Sequence, residues 1–493
     1  MIEPVTESVN TVRSSETEPP YRLTRPSEVG KLIVGLKVRK APGNDEINNI
    51  LIKNLPHKAV VELTRIFNAC LRLAYFPKCW KIAKVVAVKK TGKDPSIASN
   101  FRPISLLPTL GKVLEKVIYK QLIQSSGHHI INEQFGFRNS HSTVQQLARV
   151  AESISHNLNL NNSTGMFLLD LEKAFDTVWH DGLIHKISSL VPMPLIKLID
   201  SYLSERSFRV HIDHTVSSPH YIPAGVPQGS ILGPYLFLLY VNDIPVQPRT
   251  QLACFADDTA CFTSASDIDL IIGRLQLAID KLQSYFKCWK LKLNETKTEA
   301  IIFTRKRKLP SKRLKINDHF IPWTNKVRYL GVLLDKKLNW SSHVSSTCCK
   351  SMKALNALRP IFNRRSSLSC HTKLYVFLTF IRPVLTYACP VWSSTCNTNY
   401  SKLQVVQNKS LKIAFNTKFY TNLKRLHIQI ELPFIKDFII KITKRFYIES
   451  NYSHKNILIS SIGKSRRCDL PYIDNYRSYR LPHHYVLDEP PDA

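Results

Sequence analysis

Two adjacent aspartates, Asp257 and Asp258, stand between two apolar runs, Leu252 to Ala256 and Thr259 to Phe262. Apolar runs on either side of a short polar break read as a β-hairpin, with both carboxylates at its tip. Neighbouring carboxylates resist ionising together unless a cation neutralises them. Asp is also an ordinary turn residue, so the pair alone leaves a plain turn open. A third carboxylate, Asp170, closes the fully apolar run Met166-Phe-Leu-Leu. Polar residues follow it, then a helical pattern from about Gly182. An Asp at the end of a buried strand is an N-cap, a turn residue or a ligand. Magnesium takes hard oxygen ligands and keeps water and phosphates in the rest of its shell. Two such ions about 3.5–4 Å apart activate an attacking hydroxyl and stabilise a leaving phosphate oxygen together. Carboxylates on separate strand ends suit that arrangement.

Acid is scarce in this chain. Its 493 residues hold 69 Lys and Arg against 37 Asp and Glu, a formal charge of +32. So large an excess repels itself in the compact state and points to a polyanionic partner. The basic residues run through the whole chain, which favours nucleic acid over a membrane surface, where charge gathers in one helix or tail. The longest apolar runs, such as Tyr235 to Val241, fall far short of the roughly 20 residues a bilayer needs. The start, Met1-Ile-Glu-Pro, lacks the basic and apolar regions of a secretory signal. The 11 cysteines form no regular framework. Adjacent Cys348 and Cys349, and Cys389 with Cys396, match no zinc pattern, so a reducing compartment is expected.

Residues 1–22 are polar and read as a linker or a cut domain end. Helical patterns, Glu28 to Leu36 and Val60 to Ala74, then alternate with a short strand, Ala83 to Val88. Between 164 and 345 buried strands dominate: Met166 to Leu169, Cys254 to Ala256, Thr259 to Phe262, Ala300 to Phe303 and Tyr329 to Leu334. From about 346 the pattern is helical and basic. Leu403, Val406, Leu411 and Ala414 make an apolar stripe beside Lys402, Lys409, Lys412 and Lys418. An α+β core followed by helices is the simplest architecture.

The blocks around these carboxylates resemble those of jockey-like non-LTR retrotransposon reverse transcriptases. Leu169-Asp-Leu-Glu-Lys-Ala-Phe-Asp resembles motif A, Ala224-Gly-Val-Pro-Gln-Gly-Ser motif B, and Phe255-Ala-Asp-Asp motif C. Phe101-Arg-Pro-Ile-Ser and Glu133-Gln-Phe-Gly-Phe-Arg are similar to the fingers motifs. Leu293-Asn-Glu-Thr-Lys-Thr and Tyr329-Leu-Gly-Val-Leu-Leu-Asp resemble motifs D and E. The blocks keep the family order across roughly residues 36 to 345. The Phe-Ala-Asp-Asp and Leu-Gly-Val-Leu-Leu-Asp forms speak against an intron maturase.

The resemblance implies a right-hand polymerase, with an antiparallel palm sheet backed by helices. Fingers and palm would occupy residues 23–345, a helical thumb 346–425 and a basic C-terminal region 426–493. It implies an RNA-directed DNA polymerase that joins a dNTP to a primer 3′-hydroxyl on an RNA template. Asp170, Asp257 and Asp258, with the Leu171 carbonyl, fall on positions holding two Mg²⁺ ions, for which Mn²⁺ is a substitute. Phe175 falls on the steric gate under the incoming sugar, where a ring excludes the 2′-hydroxyl; the residues alone read equally as a core Phe. Arg102 and either Lys89 or Lys90 match triphosphate contacts, and a guanidinium suits phosphate through its fork. Gln228 and Gly229 match the turn beside the nascent base pair, and Lys297 the lysine facing the leaving pyrophosphate. DNA primer or nicked target DNA would be the partner, and the endonuclease domain of such elements would be separate or missing here. The alternative is an inactive or domesticated nucleic-acid-binding remnant.

Two features stay outside these motifs. Arg305-Lys-Arg-Lys reads as a solvated or phosphate-contacting loop, or a nuclear-localisation tract, so nuclear and cytoplasmic residence is expected. Tyr472, Tyr476 and Tyr479 among Arg477 and Arg480 read as a loosely packed tail rather than a stacking platform for bases.

Overall fold

The computed structural model describes residues 2–16, 22–89, 94–97, 100–212, 215–306, 310, 312–417, 421–451 and 454–463. Lys90, Lys418 and the Tyr472 to Arg480 group lie outside them. The chain forms two compact units, each drawn from separate stretches: Met1–Phe137, Leu171–Pro245 and Lys281–Asn294 in the first, and Arg138–Asp170, Val246–Asp280 and Glu295–Ala493 in the second.

Among its described residues the first unit is mostly helical and carries one sheet. Strands β1 (Ile82–Lys89) and β2 (Phe101–Leu106) pair antiparallel, so Val88 faces Arg102 and Lys89 faces Phe101. The expected strand Ala83 to Val88 is the body of β1. On its other edge β1 runs parallel to β4 (Ser207–Ile212), which also pairs antiparallel with β5 (Thr215–Val216) and β6 (His220–Tyr221). The helix His57–Arg72 buries Leu63, Phe67, Cys70 and Leu71, an i, i+4, i+7, i+8 stripe that forces one face inward.

Within residues 1–22, expected to be a linker or a cut domain end, the polar run hides a packed helix. Ile2–Ser14 is a helix that buries Val5, Val9 and Val12 against the helices His180–Ile187 and Met193–Leu203. Its period was concealed by being narrow: three valines spaced i, i+4, i+7 in an otherwise polar run make a thin stripe. Arg13 fastens the last turn through Asp200 and Asp181, at 2.9 and 3.1 Å.

In the second unit β3 (Ser163–Leu169) is central to a sheet that also contains β7 (Gln251–Phe255), β8 (Asp258–Ala265) and β9 (Glu299–Phe303). The order is 323–324, β9, β3, β8, β7; every pairing is antiparallel except the parallel pair of 323–324 with β9. The helix Thr143–Asn159 backs the sheet, and its buried Gln146 and Arg149 donate to the carbonyls of Cys254 and Leu252. The helix Ile268–Cys288 also approaches it. A side chain on Gly165 would meet Ile271 at 2.4 Å and Leu275 at 2.8 Å, so glycine is what lets that helix close on β3.

The single expected strand Tyr329 to Leu334 is also corrected. It is a hairpin of Lys326–Tyr329 with Val332–Asp335, turning at Leu330 and Gly331. Both turn residues have positive φ, 42° and 86°, the pattern of a tight two-residue hairpin loop. Farther on, the helix Asn397–Ala414 buries Leu403, Val406, Leu411 and Ala414 and exposes Lys402 and Lys409, as its apolar stripe implies. Among the described residues no helix is long and apolar enough to cross a membrane.

Candidate active site

The carboxylates gather at one end of the second unit's sheet. β7 and β8 form a hairpin whose last pair is Phe255 with Asp258, leaving Ala256 and Asp257 as the two-residue loop. β8 pairs with β3 from Ala265 opposite Ser163 to Thr259 opposite Leu169. Asp170 and Asp258 are the next residues of that ladder, so its register alone brings the two strand ends side by side. Ala256 holds φ at 59°, a left-handed conformation that costs a non-glycine residue about 1–2 kcal/mol.

Proximity shows in the acid–base behaviour. Partial burial raises the Asp257 carboxyl above the ordinary range, and Asp170 adds to the effect. Asp258 is pushed up to about 6, by burial first and then by Asp257 and Asp170. Asp258 is exposed as a residue, so solvent screens part of this shift. These are hard oxygen donors that repel one another, which fits a cationic occupant. Among the described residues no three His, Cys, Asp or Glu side chains converge into a ready-made metal cage. Water and phosphate oxygens would therefore complete the shell of an ion held here. Lys297, in the short turn Glu295–Lys297, places Nζ 3.0 Å from Asp170 Oδ2. The lysine expected at the pyrophosphate thus contacts a carboxylate of the cluster.

The first unit holds the other predicted residues. Leu171 is buried and bridges to Leu293. Phe175 is half-buried, stacked on Phe237 at 4.6 Å and edge-on to Phe137 at 5.9 Å. Its carbonyl accepts from Val226 N at 2.7 Å, while Gly225 N donates to Val178 O at 2.8 Å. Gln228 donates through Nε2 to Asp176 Oδ1 at 2.9 Å. Gln228 O also accepts from Ser105 N at 3.1 Å, tying the turn to β2. At Gly229, with φ 105°, a side chain would sit 2.6 Å from the Ser105 carbonyl. Glycine is required there twice over, for the dihedral and for the close approach. Phe175, Gln228 and Gly229 are thus brought together, and β2 carries Arg102 in its backbone register opposite Val88, one pair from Lys89.

Sequence reasoning missed Glu115. This buried residue lies on the helix Thr109–Ser126 and accepts through Oε2 from Ile231 N at 2.6 Å and Leu232 N at 3.3 Å. It thereby anchors the start of the helix Leu232–Tyr240, immediately after the Gln228–Gly229 turn. The available signal was an acid on an apolar helix face, four residues after Gly111 and three before Ile118.

Comparison with known proteins bears on both units. The family described as reverse transcriptase (RNA-dependent DNA polymerase) matches residues 88–334. The probable RNA-directed DNA polymerase from transposon X-element of Drosophila melanogaster is 35% identical over 450 residues, 90% of this chain and 49% of that protein. The probable RNA-directed DNA polymerase from transposon BS of the same species is 33% identical, over 91% of this chain and 50% of that protein. The RNA-directed DNA polymerase from mobile element jockey of Drosophila funebris is 33% identical, over 93% of this chain and 51% of that protein. The chain spans about half the length of the curated relatives it matches.

Proposed function

The chain belongs to the reverse transcriptase (RNA-dependent DNA polymerase) family, and we propose that it extends a DNA primer along an RNA template using dNTPs. The reaction forms a bond between the primer 3′-oxygen and the α-phosphorus, and breaks the bond from that phosphorus to pyrophosphate. The observation that carries this reading is the register of β3 with β8, which aligns Asp170 with the Asp257–Asp258 turn. Those carboxylates would hold two Mg²⁺ ions, with Mn²⁺ as a substitute, and the Leu171 carbonyl is a further candidate ligand. Ions bound there would acidify the 3′-hydroxyl and stabilise charge on the departing phosphate.

The remaining residues bind and orient. Arg102 and Lys89 would take triphosphate oxygens, the arginine by its bidentate fork. The exposed part of Phe175 would lie under the incoming sugar and exclude a 2′-hydroxyl, its ring held by Phe237. Gln228 and Gly229 would offer a shallow backbone surface to the new base pair. Lys297 would stay on Asp170 while the site is empty of substrate and move to the pyrophosphate as charge develops there. Its donors suit either anion.

The test is extension of an oligo-dT primer on poly-A template with labelled dTTP and Mg²⁺. Asp170→Asn or Asp257→Asn should lower the rate at least about a hundredfold, the scale seen when transition-state charge loses its partner. Template binding should stay near wild type in both. Equal extension by wild type and both variants would remove the metal assignment.

A further inference from the structure

The end of the second unit's sheet remote from Asp170 is strongly basic. β9 stops at Phe303, and Thr304 Oγ1 accepts from Ser163 Oγ at 2.8 Å, which fixes the strand end beside the start of β3. Arg305 and Lys306 follow, both exposed. Arg305 reaches Asn159 and Asn161 past the end of the helix Thr143–Asn159, at 3.4 and 3.5 Å. Lys306 donates to the Ser266 carbonyl at 3.0 Å. A second turn arrives through the backbone: Thr304 N donates to Lys336 O at 3.2 Å, and Lys336 N to Asn325 O at 3.0 Å. That brings Lys336 and Lys337 to the same edge, with Lys326 next to Asn325.

Asp335 is buried and accepts from the backbone N–H groups of Lys337, Asn339 and Trp340. Asp269 is paired with Lys312, at 3.6 Å. Partial burial first, and then Lys337 beside it, push the Lys336 ammonium below its ordinary value. A hollow of about 280 Å³ opens between the end of the helix Thr143–Asn159 and the segment 304–306, lined by Leu158, Asn161, Asn162, Thr304, Arg305 and Lys306. Amide and cationic donors around one hollow suit phosphate oxygens.

The geometry points to a second polynucleotide-binding surface, in which Arg305 and Lys306 at this hollow, with Lys336 and Lys337 on the same sheet edge, grip phosphodiesters outside the catalytic end. β3 spans seven residues, so the two ends of the sheet are roughly 20 Å apart at about 3.3 Å per residue. A strand held here is therefore a different stretch of nucleic acid from the primer terminus, either template RNA or a DNA strand.

The test uses the whole chain without metal or nucleotide, so binding is read independently of polymerisation. Wild type and Lys306→Gln/Lys337→Gln are titrated with oligo-U and with oligo-dT across a salt series. Loss of two phosphate contacts should flatten the slope of log affinity against log salt by about 1.4, at roughly 0.7 per contact on a single strand. Lys306→Glu/Lys337→Glu should flatten it further. Flattening with oligo-U alone assigns the surface to template, with oligo-dT alone to DNA, and with both to either strand. Extension of a saturating short primer–template that ends near the catalytic carboxylates should be unchanged. An unaltered slope with both polymers overturns the proposal, as does lost affinity for polyglutamate alone, which would make the surface a protein-docking site.

Discussion

Removing Glu115 should cost more than removing any of the three site aspartates in stability, although Glu115 touches no substrate. In Glu115→Ala, the amides of Ile231 and Leu232 lose their acceptor inside the protein. Each stranded buried donor costs about 1–3 kcal/mol. Together these give a loss of about 3–5 kcal/mol. Glu115→Gln keeps an oxygen for Ile231 and matches the neutral form that burial favours, so under about 1 kcal/mol should go. Urea denaturation followed by tryptophan fluorescence reads both, from the midpoint and slope of the transition. Burial raises the Glu115 carboxyl, so the folded chain binds a proton more readily than the unfolded one. The stability this provides is full below the ordinary glutamate range and is lost as pH rises through the folded value. Glu115→Gln should lack that slope. A loss under about 0.5 kcal/mol for Glu115→Ala, within the range of ordinary surface changes, would refute the anchoring role, as would equal losses in the two variants.

Phe175→Ala should raise ribonucleotide over deoxynucleotide incorporation, measured as a ratio of kcat/KM values, and an unchanged ratio would leave Phe175 a packing residue against Phe237. Because Asp258 sits at about 6 in the metal-free protein, Mg²⁺ affinity should climb as pH rises through that value, and calorimetry at pH 5 and pH 7.5 would detect it. The same raised value means the metal-free fold is stabilised by proton uptake in acid and loses this as pH rises from about 4 to about 6; melting in EDTA should show the decline, and Asp258→Asn should flatten it. Ala256→Gly should relieve the left-handed strain and raise stability by about 1 kcal/mol, and a lower denaturation midpoint would show that the turn gains more from stiffness than it loses to strain.

What the sequence makes legible follows the range of the forces involved. Asp257 and Asp258 could be placed at a hairpin tip because alternating burial and turn chemistry act within a few residues. Asp170 at the end of β3 was legible for the same reason. Glu115 was not, since its role depends on an amide 116 positions later in the chain. The helix Ile2–Ser14 escaped because its three valines mean little until the helices they pack on are known. At Tyr329 to Leu334 the apolar run reads as one strand, although the glycine within it is itself a turn signal. Phe175 keeps both of its readings: one face is committed to Phe237, and the residue is only half-buried. Lys297 was recognisable by its motif, but its contact with Asp170 required the fold.

The ladder between β3 and β8 sets an asymmetry in how this chain tolerates copying errors. Side chains alternate faces along a strand, so a shift of one residue exchanges every inward and outward position. Many single substitutions within Ser163–Leu169 would leave the pairing, and hence the spacing of Asp170 from Asp257 and Asp258, intact. A one-residue deletion in the same seven positions would move Asp170 to the wrong face or drag Met166 and Phe167 out of the core. The exposed turn at Ser218–Pro219 faces no such constraint and should absorb the same loss. Length changes at particular strands should therefore break the alignment of Asp170 with Asp257 and Asp258 well before substitutions alone have erased the family pattern.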